Sequence, residues 1–126
     1  MGATVSSPMY RRGDVVLIPF PMSAPSLTRD VKRRPAVVLA VYPHGNGRDY
    51  LLALITTKAA PDPLIMALAP GDITGGALSV PASYLRPAYL FTAGETLIER
   101  SIGVLRADLV GETARRASLL LTKGEL

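Results

Sequence analysis

Apolar and β-branched residues occur in short runs along most of the chain, at spacings typical of strands. The first run, "DVVLIPF" (14–20), is closed by Pro19 and Pro21, which favours an outer or kinked strand over a helix. Two longer runs, "PAVVLAVY" and "YLLALITT", flank "PHGNGRD", whose Gly and Asn residues favour a turn. This part of the sequence therefore predicts a strand, a loop and a strand.

The remaining segments extend this pattern, with one exception at the C-terminal end. Further short extended segments are predicted in "PLIMALAP", "SYLRPAYLF" and "SIGVL". The segment "PMSAPSLTRD" has no periodicity and predicts a loop, and residues 70–81 hold too many Gly and Pro for a helix. From Ala107 to Leu121, however, apolar residues recur at helical spacing. We predict a small antiparallel barrel or sandwich, with one amphipathic helix covering one end or face of the sheet.

Composition limits the protein classes that the chain can represent. With 126 residues, 48% hydrophobic and 19% charged, the sequence indicates a single folded domain (1–126) and no membrane span. Within this domain, residues 1–9 are expected to form a flexible tail. The absence of Cys and the single His exclude a disulfide framework, a thiolate metal site and a multi-His metal centre. No signal peptide is evident, so we expect a cytoplasmic protein. The net charge of +4 favours anionic partners only mildly, and a merely solvated surface explains it equally well.

The sequence lacks the common catalytic motifs, and the candidate chemistry is limited to arginine, threonine and backbone groups. In "KRRPAVVLAV", Arg34 is held by the rigid Pro35 at a strand entrance, where a guanidinium can clamp phosphate. From the residues alone, a solvated strand end that prevents edge aggregation is the simpler interpretation. Thr56 and Thr57 end an apolar strand before Lys58 and could bind phosphate oxygens, although strand-end threonines are common.

Two other groups carry weaker signals. Arg86 in "SYLRP" is a further cation, and the nearby Tyr84 could stack on a base, but an ordinary tyrosine and a surface arginine are the more common outcome. His44 lies in a turn, where an exposed imidazole is most often only solvated.

In order and spacing, these segments resemble the PemK/MazF family of bacterial toxins. The resemblance begins at "RRGDVVLIPFP", continues through "KRRPAVVLAV" and "LLALITT", and ends more weakly at "SYLRP" and "IGVL". It covers nearly the whole chain, from Arg12 to about Leu121. The resemblance implies a CcdB/PemK/MazF-like, SH3-like antiparallel barrel and a homodimer. It also implies the toxin of a type II toxin–antitoxin pair, which cleaves single-stranded mRNA at short sequences without a metal or cofactor. A cognate antitoxin would cover the RNA groove.

The resemblance also implies roles for individual residues. The family's catalytic arginine falls on Arg34 and its catalytic threonine on Thr56. In this interpretation the 2′-hydroxyl of the RNA attacks the neighbouring phosphate, Arg34 neutralises the phosphorane and Thr56 binds a non-bridging oxygen. The expected RNA contacts are Arg33, Thr57, Lys58 and Arg86.

The sequence departs from the family pattern at two positions where relatives carry carboxylates. Arg29 stands where some members have a glutamate, with Asp30 beside it as a possible substitute, and Ala88 replaces the aspartate of an Arg-x-Asp motif. The general base is therefore unassigned.

These departures leave two alternatives open. One is an inactive module of the same fold that binds nucleic acid or an antitoxin, and the other is a toxin directed at a protein such as DNA gyrase. We also expect the "PMSAPSLTRD" loop to be mobile and to close over substrate.

Overall fold

A computed structural model describes residues 7–20, 32–76 and 82–126 of the chain. The predicted "PMSAPSLTRD" loop, with Arg29 and Asp30, lies outside the described residues, as does most of the predicted N-terminal tail. Within the described ranges the chain forms seven strands, a short 3-10 helix and one α-helix. They are β1 (Asp14–Phe20), β2 (Lys32–His44), β3 (Gly47–Thr56), β4 (Met66–Leu68), β5 (Ile73–Thr74), β6 (Ser83–Gly94), the 3-10 helix (Glu95–Leu97), β7 (Arg100–Leu105) and α1 (Ala107–Lys123).

The described strands form one sheet in which every pairing is antiparallel. The strand order is β4-β6-β3-β2-β1-β7-β5, so β7 pairs with β1 on the side opposite β2. The prediction of a mainly β, antiparallel fold with a C-terminal helix is confirmed. Among the described residues, no helix combines the length and apolar character that crossing a bilayer requires.

Both faces of the sheet are buried. Successive residues of a strand point to opposite faces, so one strand contributes side chains to two apolar clusters. In β2, Ala36 and Val38 belong to one apolar cluster together with Tyr50, whereas Val37 and Leu39 belong to the other. The second cluster also contains Val110 of α1, so the helix covers this face of the sheet, as the amphipathic pattern predicts. This double burial explains why β2 and β3 contain continuous apolar runs rather than a strict alternation.

Element lengths differ from the predictions at two places. The predicted loop "PHGNGRD" is largely strand, because β2 and β3 pair as far as His44 and Gly47 and leave only a two-residue turn. Gly45 in this turn has a φ of +60°, which glycine adopts without strain. The predicted strand "PLIMALAP" is reduced to the three residues of β4.

A cationic groove as the candidate functional site

A groove of about 1080 Å³ lies where β1, β2, β3 and β7 approach the segment that contains β5. Its lining includes five of the six residues predicted from the sequence to be catalytic or to contact RNA, although they come from two separate parts of the chain. These residues are Arg33, Arg34, Thr56, Thr57 and Lys58.

The strand register explains why Arg34 and Thr56 meet. Ala36 of β2 is paired with Leu54 of β3 in the antiparallel hairpin. Arg34 lies two residues before Ala36 and Thr56 two residues after Leu54, so both stand at the same end of the two neighbouring strands. The sequence therefore brings a guanidinium and a hydroxyl to one edge of the groove.

Arg34 is held in a half-buried position. Its backbone pairs with Ile18 of β1, and its Nε atom is fully buried. Because Pro35 has a fixed φ angle, the backbone that carries the guanidinium has little freedom. A partly desolvated guanidinium interacts more strongly with a phosphate than one in bulk water.

The hydroxyl of Thr56 is oriented by its own loop. Its Oγ1 atom accepts a hydrogen bond of 3.3 Å from the backbone N–H of Lys58. Thr56 is half-buried, whereas Thr57 and Lys58 are exposed. The loop after β3 therefore presents one fixed hydroxyl, one exposed hydroxyl and one ammonium group at the groove.

Arg33 forms an ion pair with the carboxylate of Glu99, which lies between the 3-10 helix and β7. Its Nε donates to both carboxylate oxygens of Glu99, at 2.6 Å each, across 66 positions of sequence. Glu99 immediately precedes β7, and its own backbone N–H donates to Leu17 O of β1 at 2.9 Å. The ion pair therefore spans β1 and connects β2 with the start of β7.

Several lining residues were missed from the sequence. Arg100 and Ser101 reach the groove because β7 pairs with β1, where Arg100 stands opposite Leu17. Lys32 at the start of β2 and the buried Ser83 at the start of β6 also line it. Lys32 could have been found as part of the cation cluster, but no local signal marks Arg100, Ser101 or Ser83. Within the described ranges, the lining holds five cations and no Asp, Glu or His side chain.

One wall of the groove depends on close backbone packing between the β5 segment and β7. A Cβ atom at Gly76 would stand 1.9 Å from Ile102 O, and one at Gly103 would stand 2.6 Å from Ile73 Cγ2. Gly103 also has a φ of +155°. Glycine is therefore required at both positions for this wall to form as it does.

Arg86 does not line the groove. Its Nε donates to Asp62 Oδ2 at 3.2 Å, and its guanidinium carbon lies 5.4 Å from the centroid of the Tyr89 ring. Tyr84 is paired with Thr56 across the β3–β6 ladder, and Ala88 is exposed. The prediction that Arg86 contacts RNA stays a prediction.

His44 lies outside the groove lining. Its ring Nδ1 is 2.8 Å from Asp49 Oδ2 on the β2–β3 hairpin, and its side chain is 72% exposed. No group of three or more His, Cys, Asp or Glu residues suitable for a metal ion occurs in the described part of the chain.

Comparisons with known proteins give matches only at the level of structure. Neither a protein-family model nor a curated protein matches the sequence. The fold is similar to "Mycobacterium tuberculosis toxin MazF-mt6", with 17% identity and a TM-score of 0.62 over 86% of this chain and 96% of that one. MazE-MazF (Form-II) from Deinococcus radiodurans aligns with 16% identity and a TM-score of 0.65, covering 92% of this chain and 98% of that chain. An endoribonuclease in complex with its cognate antitoxin, from a mycobacterial species, aligns with 14% identity and a TM-score of 0.61, covering 88% and 93%.

These similarities extend over nearly the whole of each chain, so they concern the complete fold. The predicted SH3-like, barrel-like fold of the MazF class is confirmed, and the resemblance read from the sequence motifs is confirmed as a similarity of fold.

Proposed function

We propose that this protein is a PemK/MazF-type toxin of a toxin–antitoxin pair and that it cleaves single-stranded mRNA at short sequences without a metal ion. The observation that carries the proposal is the groove, in which Arg34 and Thr56 meet among further cations. The fold it shares with solved toxins and an endoribonuclease supports the same conclusion.

The charge of the groove suits the backbone of RNA. Arg33 and Lys58 would contact phosphates on either side of the cleaved position, and Thr57 would donate a further hydrogen bond. Lys32 and Arg100 extend the cationic lining beyond the predicted residues. Arg86 would contact RNA only outside the groove lining, with its Nε already donating to Asp62.

The reaction requires groups that stabilise charge more than it requires a protein nucleophile. The 2′-oxygen of the RNA forms a bond to the adjacent phosphorus while the bond from phosphorus to the 5′-oxygen breaks, which yields a 2′,3′-cyclic phosphate and a 5′-hydroxyl. Arg34 would neutralise the negative charge of the phosphorane, and the Thr56 hydroxyl would donate to a non-bridging oxygen. Because arginine stays protonated at neutral pH, Arg34 would serve as clamp and acid rather than as base.

The proton of the 2′-hydroxyl needs an acceptor that the groove lining does not identify. Among the described residues the lining has no carboxylate or imidazole, and His44 is on an exposed hairpin. Asp30, the sequence candidate for this role, is outside the described residues.

The proposed partners are an antitoxin and a second copy of the chain. The solved structures with the same fold include a complex with a cognate antitoxin and a MazE-MazF complex. We infer that an antitoxin of this protein would cover the cationic groove and compete with RNA for it.

The test is cleavage of a long, mixed-sequence RNA by purified protein in EDTA, with the fragment ends mapped. The wild type should cut at one short motif and leave cyclic phosphate ends, and Arg34→Ala and Thr56→Ala should lose this cleavage. Arg115→Ala, on an exposed part of α1, and Thr92→Ala, exposed on β6, are matched controls that should cut like the wild type. A folded wild type that leaves the RNA intact would contradict the proposal.

A binding module without catalysis is the second candidate, and the absence of a carboxylate or imidazole from the described groove lining favours it. Such a module would bind RNA with steep salt dependence and leave it uncut. A protein-directed toxin would need neither RNA binding nor the Arg34 and Thr56 side chains.

A further inference from the structure

The carboxylate of Glu99 contacts a groove residue without lining the groove itself. Both of its oxygens accept from Arg33 Nε at 2.6 Å, and the side chains of Arg33 and Glu99 are 60% and 33% exposed. An exposed ion pair of this kind contributes little to folding stability. The ion pair therefore matters more for the orientation of the Arg33 side chain than for the stability of the fold.

The contact uses only one edge of the guanidinium. Arg33 donates to Glu99 through Nε, and within the described ranges its two Nη groups donate to no residue. Arg33 itself lines the groove. A guanidinium whose Nε is fixed by a carboxylate retains four N–H donors on the Nη groups, which suit the oxygens of a phosphate.

The backbone beneath Glu99 is held from two sides. The preceding residue, Ile98, is buried in the core, and its carbonyl oxygen accepts from the Tyr10 hydroxyl at 3.4 Å. The N–H of Glu99 donates to Leu17 O at 2.9 Å. The carboxylate therefore projects from a fixed point of the fold, whereas Arg33 alone has a long and flexible side chain.

We propose that Glu99 is a positioning residue, which fixes the Arg33 guanidinium so that its Nη groups contact a phosphate of the RNA in the groove. This inference rests on the proposed ribonuclease function. Glu99 itself does not touch the RNA.

A simple electrostatic role for Glu99 predicts a different result. Removal of one negative charge beside a cationic groove strengthens RNA binding and lowers KM. Loss of positioning instead lowers kcat, because a flanking phosphate that Arg33 no longer holds in place leaves the scissile phosphate misaligned with Arg34 and Thr56. The two roles are therefore separated by the split between KM and kcat.

The first experiment compares Glu99→Gln with the wild type in steady-state cleavage of a short RNA that contains the cut motif. We expect kcat to fall about tenfold while KM stays equal or decreases. Glu112→Gln is the matched control, because Glu112 also pairs with arginines, Arg115 and Arg116, on a helix away from the groove, and it should leave both constants unchanged. An unchanged kcat with a lower KM in Glu99→Gln would overturn the proposal.

The second experiment repeats Glu99→Gln in an Arg33→Ala background. A residue that acts through Arg33 has no further effect once Arg33 is absent, so the double variant should match Arg33→Ala within a factor of about two. A second loss of about tenfold in that background would show that Glu99 acts independently of Arg33.

The third experiment observes the contact between Arg33 and Glu99 directly, in the absence of cleavage. It uses 15N NMR of arginine side chains and a 2′-O-methyl RNA that cannot be cut. The Arg33 Nε–H signal, assigned by its loss in Arg33→Ala, should be protected in the wild type and in Glu112→Gln and clearly less protected in Glu99→Gln, whose neutral amide oxygen is a weaker acceptor than a carboxylate. It should stay protected when the RNA is added, while the other Arg33 side-chain signals shift.

Loss of Nε–H protection on RNA addition would mean that RNA displaces Glu99, and the proposal would be wrong whether or not the protein cuts RNA. A wild type that cuts no RNA but keeps this response would refute only the ribonuclease function.

Discussion

The backbone N–H of Lys58 donates to the side-chain oxygen of Thr56 at 3.3 Å, so the loop that follows β3 fixes the hydroxyl at the groove. A hydroxyl has one proton and two lone pairs, and this contact occupies one lone pair. The proton of Thr56 is therefore available for a phosphate oxygen. This relationship predicts that the hydroxyl, rather than the shape of the side chain, is what cleavage requires.

Thr56→Val and Thr56→Ser separate these two properties. Valine keeps the branched shape but lacks the hydroxyl, so kcat/KM for RNA cleavage should fall by about a hundredfold. Serine keeps the hydroxyl and should remain within about tenfold of the wild type. The measurement is initial-rate cleavage of a fluorescent RNA that contains the cut motif.

Thr92→Val is the matched control for this pair, because Thr92 is an exposed strand residue of β6 outside the groove lining. It should cleave at the wild-type rate. Equal activity of Thr56→Val and the wild type would contradict a role for the hydroxyl.

Lys58 should contribute to affinity without contributing to sequence preference. Lys58→Ala should weaken binding of single-stranded RNA of different sequences by similar factors. It should also reduce the slope of log affinity against log salt by about 0.7, as expected for one phosphate contact. Fluorescence anisotropy with a 2′-O-methyl RNA over a salt series measures both quantities. Lys123→Ala, in the last turn of α1, should leave the slope unchanged, and an unchanged slope in Lys58→Ala would remove Lys58 from the interface.

Much of the fold could be predicted because its strands carry strong local signals. The run "DVVLIPF" coincides with β1, and the helical spacing from Ala107 to Leu121 falls within α1. The end of that helix at Lys123 follows from Gly124, which adopts a φ of 80° and donates its N–H to Leu120 O. A strand was predicted in "PLIMALAP", but the three-residue length of β4 could not be, because it depends on pairing with Ser83–Leu85 of β6 rather than on local composition.

The parts of the candidate site that consist of residues adjacent in the sequence could be predicted. Arg33 and Arg34 belong to one cation cluster, and Thr56 to Lys58 to one strand end, so each group was visible in the sequence. The contribution of β7 depends on its pairing with β1, which no local pattern specifies. Glu99 was missed for this reason, since its contact with Arg33 joins residues 66 positions apart.

The pairing of Tyr50 with Glu95 predicts a loss of stability in acid. The Tyr50 hydroxyl donates to Glu95 Oε2, and Met9 N–H donates to the same oxygen at 3.2 Å. These bonds, with that of Tyr50 the larger cause, lower the pKa of Glu95 below its ordinary value of 4.5. As the pH falls, Glu95 is therefore protonated in the unfolded chain before it is protonated in the folded protein. The contribution of Glu95 to the free energy of unfolding is complete above about pH 4.5 and is lost as the pH falls towards the lower pKa of the folded state.

Glu95→Gln should reduce the free energy of unfolding by about 1 kcal/mol at neutral pH and should lose less stability than the wild type at about pH 3.5. Urea unfolding at both pH values measures this difference. Glu125→Gln, at the exposed C-terminal end, should follow the wild type at both. If Glu95→Gln loses as much stability as the wild type between neutral pH and about pH 3.5, the contact between Tyr50 and Glu95 does not cause the loss of stability in acid.

Gly76 and Gly111 should respond in opposite directions to the same substitution. A Cβ atom at Gly76 would lie 1.9 Å from Ile102 O, so Gly76→Ala must move the β5 segment or β7 and should destabilise the protein by about 1–3 kcal/mol. Gly111 lies within α1 with no atom in contact range of a new Cβ, and Gly111→Ala should stabilise the protein by about 0.5–1 kcal/mol. Thermal unfolding of both variants measures the two signs. If Gly76→Ala is as stable as the wild type, the backbone of this wall adjusts to the added Cβ atom without loss of stability. The close packing of the β5 segment on β7 would then not determine the shape of the groove.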